Sequence, residues 1–288
     1  MDAEYPLRSD HNLLFGSRAI LFKEAYTSRF PGNTYRRTTL LQTTTLISLN
    51  TQQQFTPTPL SEYPVKMSLK PIILHGHSAG PNPWKVAMLL NELNVPYEYK
   101  YLQFAEIKSE PFFKLNPNGR VPAIEDPNTG ITLWESGAIL EYLIETYDKE
   151  KKFSFEAGTP EYFHAKQWLH FQMSGQGPYF GQAVWFTKYH PEKVESARVR
   201  YVNEIRRVSE TMNNVLADRE YLVGDKYSYA DLSFVPWFGI IPWITGDAFD
   251  LEKDFPHLNA WLERIKARPA IAKALAEKAE ATSKMTHP

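Results

Sequence analysis

The sequence predicts a small α/β domain followed by a larger all-helical domain, both behind an extension of different composition. Two observations predict this order of domains. From residue 71 to about 148, short apolar strands alternate with helical segments, which is the pattern of an α/β domain. From about residue 160 onward, only helical periodicity is found. We therefore assign residues 1–66 to the extension, 67–150 to the α/β domain and 159–288 to the helical domain.

The extension is predicted to be disordered. Between residues 11 and 60 the only acidic residue is Glu24, and the segment is rich in Thr, Ser and Gln. Such a composition cannot bury enough apolar surface to fold. Five basic residues occur in the same stretch, and an Arg-rich, hydroxyl-rich, acid-poor leader is also typical of a transit peptide. Organelle targeting, and removal of the extension from the mature protein, are alternatives that the sequence leaves open.

The α/β domain is predicted to have the order β-α-β-α-β-β-α. Its strands are expected at 72–74, 97–102, 121–125 and 131–134, and its helices at 84–93, 111–115 and 136–147. The first two strands are joined through a helix, so they are expected to be parallel. Pro83 suits the first turn of the first helix, which makes Asn82 its expected N-cap.

The second domain is predicted to contain helices at about 160–175, 191–217, 229–238 and 256–267, with a weaker one near 270–280. Before the third of these, Ser228 and Asp231 have the spacing of a capping box, in which each residue bonds to the backbone of the other. We assign this signature to folding of the helix and not to catalysis.

Composition excludes several classes of function. The formal net charge is −1, so nothing favours binding of nucleic acid or of an anionic membrane surface. The longest apolar run, 232–245, is too short to span a bilayer.

The chain has no cysteine, which excludes disulfides, thiolate catalysis and thiolate metal sites. His75 and His77 have no third ligand candidate nearby, so no metal is predicted. Any thiol chemistry must therefore use the thiol of a ligand.

Residues 115–124 read as a tight turn that leads into a short apolar strand. Asn118 and Gly119 suit the turn, and Pro122 interrupts the start of the strand because proline cannot donate a ladder hydrogen bond. The Val121 N–H and C=O are therefore expected to face outward, where an extended peptide ligand can pair with them. A proline at this position also allows a cis Val121–Pro122 bond. The alternative is an ordinary turn before a strand.

Glu135 and Ser136 lie at a junction between a strand and a helix. The free N–H groups and the dipole of a helix start bind anions, so a ligand carboxylate is expected on the Ser136 N–H and hydroxyl. Glu135 would accept from an adjacent ammonium, and an α-amino-acid head group presents this pair of charges. The alternative is that Ser136 is an N-cap and Glu135 an acidic residue that favours the helix start.

These features together resemble the glutathione transferase superfamily over residues 71 to about 276. The resemblance is carried by three strings: Pro81-Asn82-Pro83-Trp84-Lys85, Asn116-Pro117-Asn118-Gly119-Arg120-Val121-Pro122-Ala123 and Glu135-Ser136-Gly137-Ala138-Ile139. It implies a thioredoxin-like first domain, an all-helical second domain and glutathione as a substrate. The segment 172–182 resembles more narrowly the bacterial nu class and its fungal relatives, a group that includes the yeast nitrogen-catabolite regulator.

The nu-like resemblance implies that Asn82 contacts the glutathione sulfur. An amide N–H donated to sulfur, and a helix N-terminus, both favour the thiolate. Gly80 stands where the bacterial enzymes carry a threonine, so Ser78 is a second catalytic candidate. The residues assigned to binding are Val121, Pro122, Glu135, Ser136, Arg120, Lys108 and Arg200. The resemblance implies the role of Arg200, which matches a nu-class residue that reaches the glutathione site; the alternative is a solvated arginine on a helix. Five aromatic residues are candidates for a second, apolar pocket, of which about two are expected to face substrate: Tyr179, Phe180, Trp185, Phe186 and Trp237. Of these, Phe180 and Trp185 are assigned to the substrate.

The activity implied by the resemblance is conjugation of glutathione to electrophiles, or reduction of disulfides and peroxides with glutathione as the only thiol. The alternative is a regulatory protein that binds glutathione with little turnover. A homodimer is expected, without nucleic-acid or membrane partners. The expected location is the cytoplasm, or the mitochondrion if residues 1–66 act as a transit peptide.

Overall fold

The computed structural model describes residues 68–246 and 249–286. The extension assigned to residues 1–66 lies outside the described residues. The first domain contains a four-stranded sheet with the order β2-β1-β3-β4. Its elements are β1 (Ile72–Gly76), α1 (Pro81–Glu92), β2 (Tyr97–Tyr101), α2 (Phe104–Ile107), α3 (Phe112–Leu115), β3 (Ala123–Asp126), β4 (Ile131–Trp134) and α4 (Ser136–Tyr147).

The sheet is mixed, as the expected fold requires. β1 pairs with β2 in parallel, which confirms the prediction for two strands joined through a helix. β3 pairs antiparallel with both β1 and β4. This topology is the thioredoxin-like arrangement. β3 begins at Ala123, so Val121 and Pro122 precede the strand, and the bond between them is cis.

The start of α1 differs from the prediction. The N-cap is Gly80, and Asn82 is the second residue of the helix, so the prediction that Asn82 is the N-cap was wrong. Pro81 and Pro83 explain the earlier start, because the first turn of a helix does not use its N–H groups and accepts proline. The Asn82 side chain therefore does not cap α1, and its amide group can form hydrogen bonds with other partners.

The second domain is entirely helical in the described residues. Its α-helices are α5 (Pro160–Phe171), α6 (Gly177–Val184), α7 (Glu195–Val215), α8 (Tyr229–Phe238), α9 (Ile241–Thr245), α10 (Leu251–Asp254), α11 (Pro256–Lys266) and α12 (Pro269–Thr286). Two π-helical segments, Gln172–Gln176 and Trp185–Tyr189, join α5 to α6 and extend α6. The sequence predicted the longer helices, and the helix expected at about 160–175 includes most of the first π-helical segment. It did not predict α6, the second π-helical segment, α9 or α10.

The two domains share one hydrophobic core. α1 contacts α4 of its own domain and α8 and α12 of the helical domain. Trp84 and the residues that follow it to Leu90 are all buried, so α1 is covered on every side beyond its first turn. No described helix has the length and apolar character needed to cross a bilayer. Any cavity beside the first turns of α1 consequently receives residues from both domains.

The start of α8 is fixed by the predicted capping box. Asp231 is completely buried and accepts hydrogen bonds from the Ser228 N–H and hydroxyl, each at 3.0 Å. The same carboxylate also accepts from the Leu222 N–H at 2.9 Å and the Trp261 indole at 3.0 Å. The capping box is confirmed. The bonds to Trp261 and Leu222 also connect the start of α8 to α11 and to the loop that precedes α8.

Candidate functional site

Two adjoining cavities lie where the first turns of α1 and α4 meet the helical domain. The smaller, of about 50 Å³, is lined by the turn before β3 and by Ser136. The larger, of about 550 Å³, extends from it along the first π-helical segment and α6. Asn82, Arg120 and Glu135 line both cavities. The predicted turn, the start of α1 and the start of α4 therefore meet at one site.

The Asn82 amide is oriented by a residue of the helical domain. The Trp237 indole N–H donates to Asn82 Oδ1 at 2.9 Å. An indole N–H is only a donor, so the oxygen of the amide must face Trp237. The NH₂ group then has no protein acceptor among the described residues, although Asn82 lines both cavities. Asn82 is therefore prepared to donate to a ligand atom.

The start of α4 presents a carboxylate beside free backbone N–H groups. Ser136 is 2% exposed and is the first residue of the helix, and its hydroxyl donates to Met173 Sδ at 3.6 Å. Glu135 has φ 71° and ψ 112°. A non-glycine residue with positive φ is strained, and such strain is found mainly at functional sites. No cation lies within 4 Å of the Glu135 carboxylate among the described residues. The pair is thus open to an ammonium and a carboxylate of one ligand.

The buried side chain of Asn116 stabilises the turn before β3 through two hydrogen bonds. Its Nδ2 donates to the Arg120 carbonyl at 2.6 Å, and its Oδ1 accepts from the Asn118 N–H at 2.9 Å. Gly119 has φ +57°, which the turn requires. Within the described chain, no backbone group pairs with the N–H or C=O of Val121. The backbone of Val121 can therefore pair with an extended ligand, as the sequence indicated.

Lys85 is a site residue that sequence reasoning missed. It is completely buried, lines the larger cavity, and donates from Nζ to Gln172 Oε1 at 2.6 Å and to Met173 Sδ at 3.6 Å. Burial lowers the pKa of Lys85 to about 7, and the negative charge of Glu135 opposes this shift. A signal was present in the sequence, because Lys85 is the one charged residue in the otherwise apolar run from Trp84 to Leu90.

Two of the five aromatic candidates line the larger cavity, Trp185 and Trp237. Phe180 is completely buried and packs edge-to-face on Trp237 and Phe238, so the expectation that it contacts substrate was wrong. Tyr179 and Phe186 pack against Tyr201 of α7. The expectation that about two of the five aromatic residues face a second pocket agrees with the lining of the larger cavity, but the sequence could not show that these two are Trp185 and Trp237.

Three other predicted residues lie outside the linings of both cavities. Ser78 is 1% exposed, and its carbonyl accepts from the Trp84 indole at 2.6 Å. Lys108 donates to the Gly119 carbonyl at 2.6 Å, which supports the turn that presents Arg120. Arg200 is exposed on α7. Their roles toward a ligand stay predictions.

The described residues contain no group of three or more histidine or acidic side chains that could hold a metal ion. His75 pairs with Glu125 at 2.8 Å, and the His77 ring stacks on Phe104. A larger groove of about 890 Å³ lies between β2, the end of α1 and α12. None of the residues predicted for the site lines that groove, so we locate the candidate site in the two cavities between α1, α4 and α6.

Comparison with known proteins agrees with this geometry. Residues 70–145 match the family model "Glutathione S-transferase, N-terminal domain", and residues 178–269 match "Glutathione S-transferase, C-terminal domain". The chain is similar to the glutathione S-transferase-like protein gedE of Aspergillus terreus, with 50% identity over 72% of this chain and 95% of that protein. Protein URE2 of Kluyveromyces marxianus is 34% identical over 70% of this chain and 58% of its own length.

Two solved structures are similar in fold as well as in sequence. Glutathione transferase URE2P8 of Phanerochaete chrysosporium, crystallised with oxidized glutathione, has a TM-score of 0.72 and 44% identity over 74% of this chain and 97% of its own. Ure2p5 of the same organism, cocrystallised with 1-(S-glutathionyl)-2,4-dinitrobenzene, has a TM-score of 0.69 and 44% identity over 75% of this chain and 98% of its own.

Proposed function

The chain belongs to the glutathione S-transferase family, and on this premise we propose that it is an enzyme that binds glutathione in the two cavities and activates its sulfur through Asn82. The observation that carries the proposal is the hydrogen bond from Trp237 to Asn82 Oδ1 at 2.9 Å. It directs the amide NH₂, and not the oxygen, toward a ligand, and a donor is what an anionic sulfur requires.

The smaller cavity supports binding of the γ-glutamyl head group of glutathione. Its α-carboxylate accepts from the N–H groups at the start of α4 and from the Ser136 hydroxyl, and its ammonium lies against Glu135. The cysteinyl backbone of the ligand pairs with the N–H and C=O of Val121. These contacts leave the thiol beside Asn82, at the point where the two cavities join.

The larger cavity supports a second reactant. Its volume of about 550 Å³ lies within the range of small-molecule sites, and Trp185 and Trp237 give it an aromatic wall. Oxidized glutathione and a glutathionyl-dinitrobenzene conjugate are present in the relatives' crystal structures. We therefore propose that the thiolate either displaces a leaving group from an electrophile or attacks a disulfide. In the second reaction another glutathione resolves the mixed disulfide, because the chain has no cysteine.

The test is a parallel assay of the full chain with glutathione and either a chloronitrobenzene or a glutathione mixed disulfide. Turnover of at least one substrate is expected. Treating the protein with an alkylating reagent, and removing that reagent before the assay, is expected to leave the rate unchanged, because the protein has no thiol to lose. Loss of activity after this treatment would contradict a mechanism in which glutathione is the only thiol.

The second candidate function is a regulatory protein that binds glutathione without useful turnover. It is favoured by the 34% identity to a protein named URE2, which agrees with the resemblance to the yeast regulator found in the sequence. The same assay separates the two candidates. Binding of glutathione, measured by calorimetry, together with no turnover of either substrate would support the regulatory protein.

A further inference from the structure

Lys85 is a buried amine that forms no ion pair within 4 Å in the described chain, and the negative charge of Glu135 only partly opposes the effect of burial on its pKa. Its two hydrogen-bond acceptors, Gln172 Oε1 and Met173 Sδ, are both neutral. A buried ammonium is costly unless a negative charge lies close to it. Lys85 lines the larger cavity. Asn82 precedes it by three positions in α1, so the two side chains lie on the same face of the helix. An anion that enters the cavity at Asn82 would therefore add a second negative charge, besides that of Glu135, to the cavity that Lys85 lines.

Hydrogen bonds within the protein fix the Gln172 side-chain oxygen as an acceptor that faces the Lys85 amine. Gln172 Nε2 donates to Gln176 Oε1 at 3.1 Å, and Gln176 Nε2 donates to the Phe234 carbonyl at 3.2 Å. Each amide in this chain has its NH₂ group directed away from Lys85, so Gln172 Oε1 must face the amine. Gln172 and Gln176 are both completely buried. This chain of hydrogen bonds accommodates the amine as a donor whether it is neutral or protonated.

Few charged groups of the described chain face Lys85. Glu135 at the start of α4 and Arg120 in the turn before β3 line the same cavity. The first π-helical segment contributes no titratable side chain. On α8, Asp231 is bonded to Leu222, Ser228 and Trp261, and on α12 the charged residues Lys273 and Glu277 meet the far end of α1 and β2. The charge state of Lys85 therefore responds mainly to what occupies the cavity.

We propose that Lys85 is the proton acceptor and counter-charge for the glutathione sulfur, taking up a proton when the bound thiol gives one up. This proposal rests on the proposed function. The S–H bond breaks, an N–H bond forms on Lys85, and the summed charge of the two groups does not change. After conjugation the proton leaves to solvent with the displaced anion. In disulfide reduction it passes to the thiolate that leaves.

The pKa of Lys85, lowered by burial to about 7, fits this role. Above neutral pH, for example at about pH 8, the amine of the unliganded protein is largely neutral and can accept a proton. A thiolate in the cavity then favours the ammonium, because an opposite charge close by raises the pKa of an amine. The thiol and the amine thus exchange one proton inside the cavity.

The proposal is tested by counting protons. At about pH 8, the full chain is titrated with glutathione in buffers of different ionisation enthalpy, and the thiolate formed is measured by its ultraviolet absorbance. S-methylglutathione, which has the same carboxylates and ammonium but no ionisable thiol, gives the background. For the wild type we expect clearly less than one proton released to solvent for each thiolate formed, after subtraction of that background.

Two substitutions of Lys85 and one control substitution test whether Lys85 takes up the proton. Lys85→Met is expected to release one proton per thiolate and to form about tenfold less thiolate below the pKa of the bound thiol. Lys85→Arg, which keeps a permanent charge, is expected to form thiolate readily and also to release one proton. Lys100→Met, at an exposed position on β2, is the matched control and is expected to behave as the wild type.

Two results would overturn the proposal. One is the release of one full proton per thiolate in the wild type. The other is equal proton uptake with both ligands, which would make the shared carboxylates the counter-charge of Lys85. These results are distinguishable from failure of the proposed function, in which the wild type would form no thiolate with glutathione. The wild-type measurement decides the matter even if a variant fails to fold.

Discussion

At the scale of single residues, the site combines groups that are individually unfavourable for folding. Glu135 has a positive φ, Lys85 is buried without an ion-pair partner, and the Asn82 NH₂ group has no protein acceptor in the described chain. Groups of this kind are retained where a ligand satisfies them. Glutathione, the proposed ligand, carries an ammonium that would pair with Glu135 and a sulfur that, as a thiolate, would be the partner of both Asn82 and Lys85.

Ser136 tests the head-group site. Ser136→Ala removes the hydroxyl that is proposed to donate to the ligand carboxylate at a buried helix start, and it should weaken glutathione binding by about 1–3 kcal/mol. Calorimetric titration measures this change. Ser174→Ala, at an exposed position in the first π-helical segment, is the control and should bind normally. An affinity of Ser136→Ala within twofold of the wild type would show that the carboxylate binds elsewhere.

Trp237 tests the orientation of the Asn82 amide. Trp237→Phe keeps an aromatic ring but removes the donor to Asn82 Oδ1, so the amide can rotate. One hydrogen bond contributes about 0.5–1.5 kcal/mol, so kcat should fall about two- to tenfold while glutathione affinity changes less. Trp243→Phe, at an exposed position on α9, is the matched control. An unchanged kcat in Trp237→Phe would mean that the amide needs no support from Trp237.

At the scale of elements, the site depends on two helix starts and two π-helical segments. The first turns of α1 and α4 meet at the cavities. α4 brings free N–H groups, whereas α1 contributes mainly the Asn82 side chain, because Pro81 and Pro83 have no backbone N–H. The π-helical segments contribute Gln172 and Met173 from one and Trp185 from the other. π-helical turns occur frequently at functional sites, where they change the direction in which side chains point.

The sequence predicted the strands, the longer helices, and the residues contributed by the turn and by α4, because each rests on a local pattern. Gly119, Pro122 and the pair at 135–136 are turn or helix-start residues whose roles depend on their neighbours in sequence. Lys85 and Gln172 are 87 residues apart, and their contact is tertiary. The segment 177–189 was missed because its glycine and proline residues oppose an ordinary helix, and π-helical turns have no distinct periodicity.

Asp231 tests the structural role of the start of α8. Asp231→Ala leaves four donors without an acceptor in the core, and it should lower the free energy of unfolding by about 3 kcal/mol or more. Unfolding in urea measures the loss, with Asp225→Ala at an exposed loop position as the control. If the urea midpoint of Asp231→Ala equals that of the control, the capping box does not hold the helix in place.

At the scale of the whole molecule, the cavities exist because two domains share α1. The α/β domain supplies Asn82, the Val121 backbone, Glu135 and Ser136, which account for the proposed glutathione contacts. The helical domain supplies Trp185 and Trp237, which form the wall for a second reactant. Because Trp237 also orients Asn82, the proposed activation of the sulfur requires both domains to be in place.

The homodimer is tested by its mass in solution. Phe104 and Phe163 are 66% and 58% exposed, and large exposed aromatic side chains are typical of protein interfaces. Sedimentation at micromolar concentration should therefore give twice the mass of the 33.3 kDa chain. A compact monomer under these conditions would contradict the expected dimer.

The most direct test of the account is the pH dependence of turnover in Asn82→Ala. The amide is proposed to stabilise the thiolate more than the thiol, so the substitution should lower kcat at neutral pH more than it weakens glutathione binding. The loss should diminish at high pH, where glutathione ionises unaided. Near-full turnover of Asn82→Ala at neutral pH would contradict the account and leave Ser78 as the better candidate.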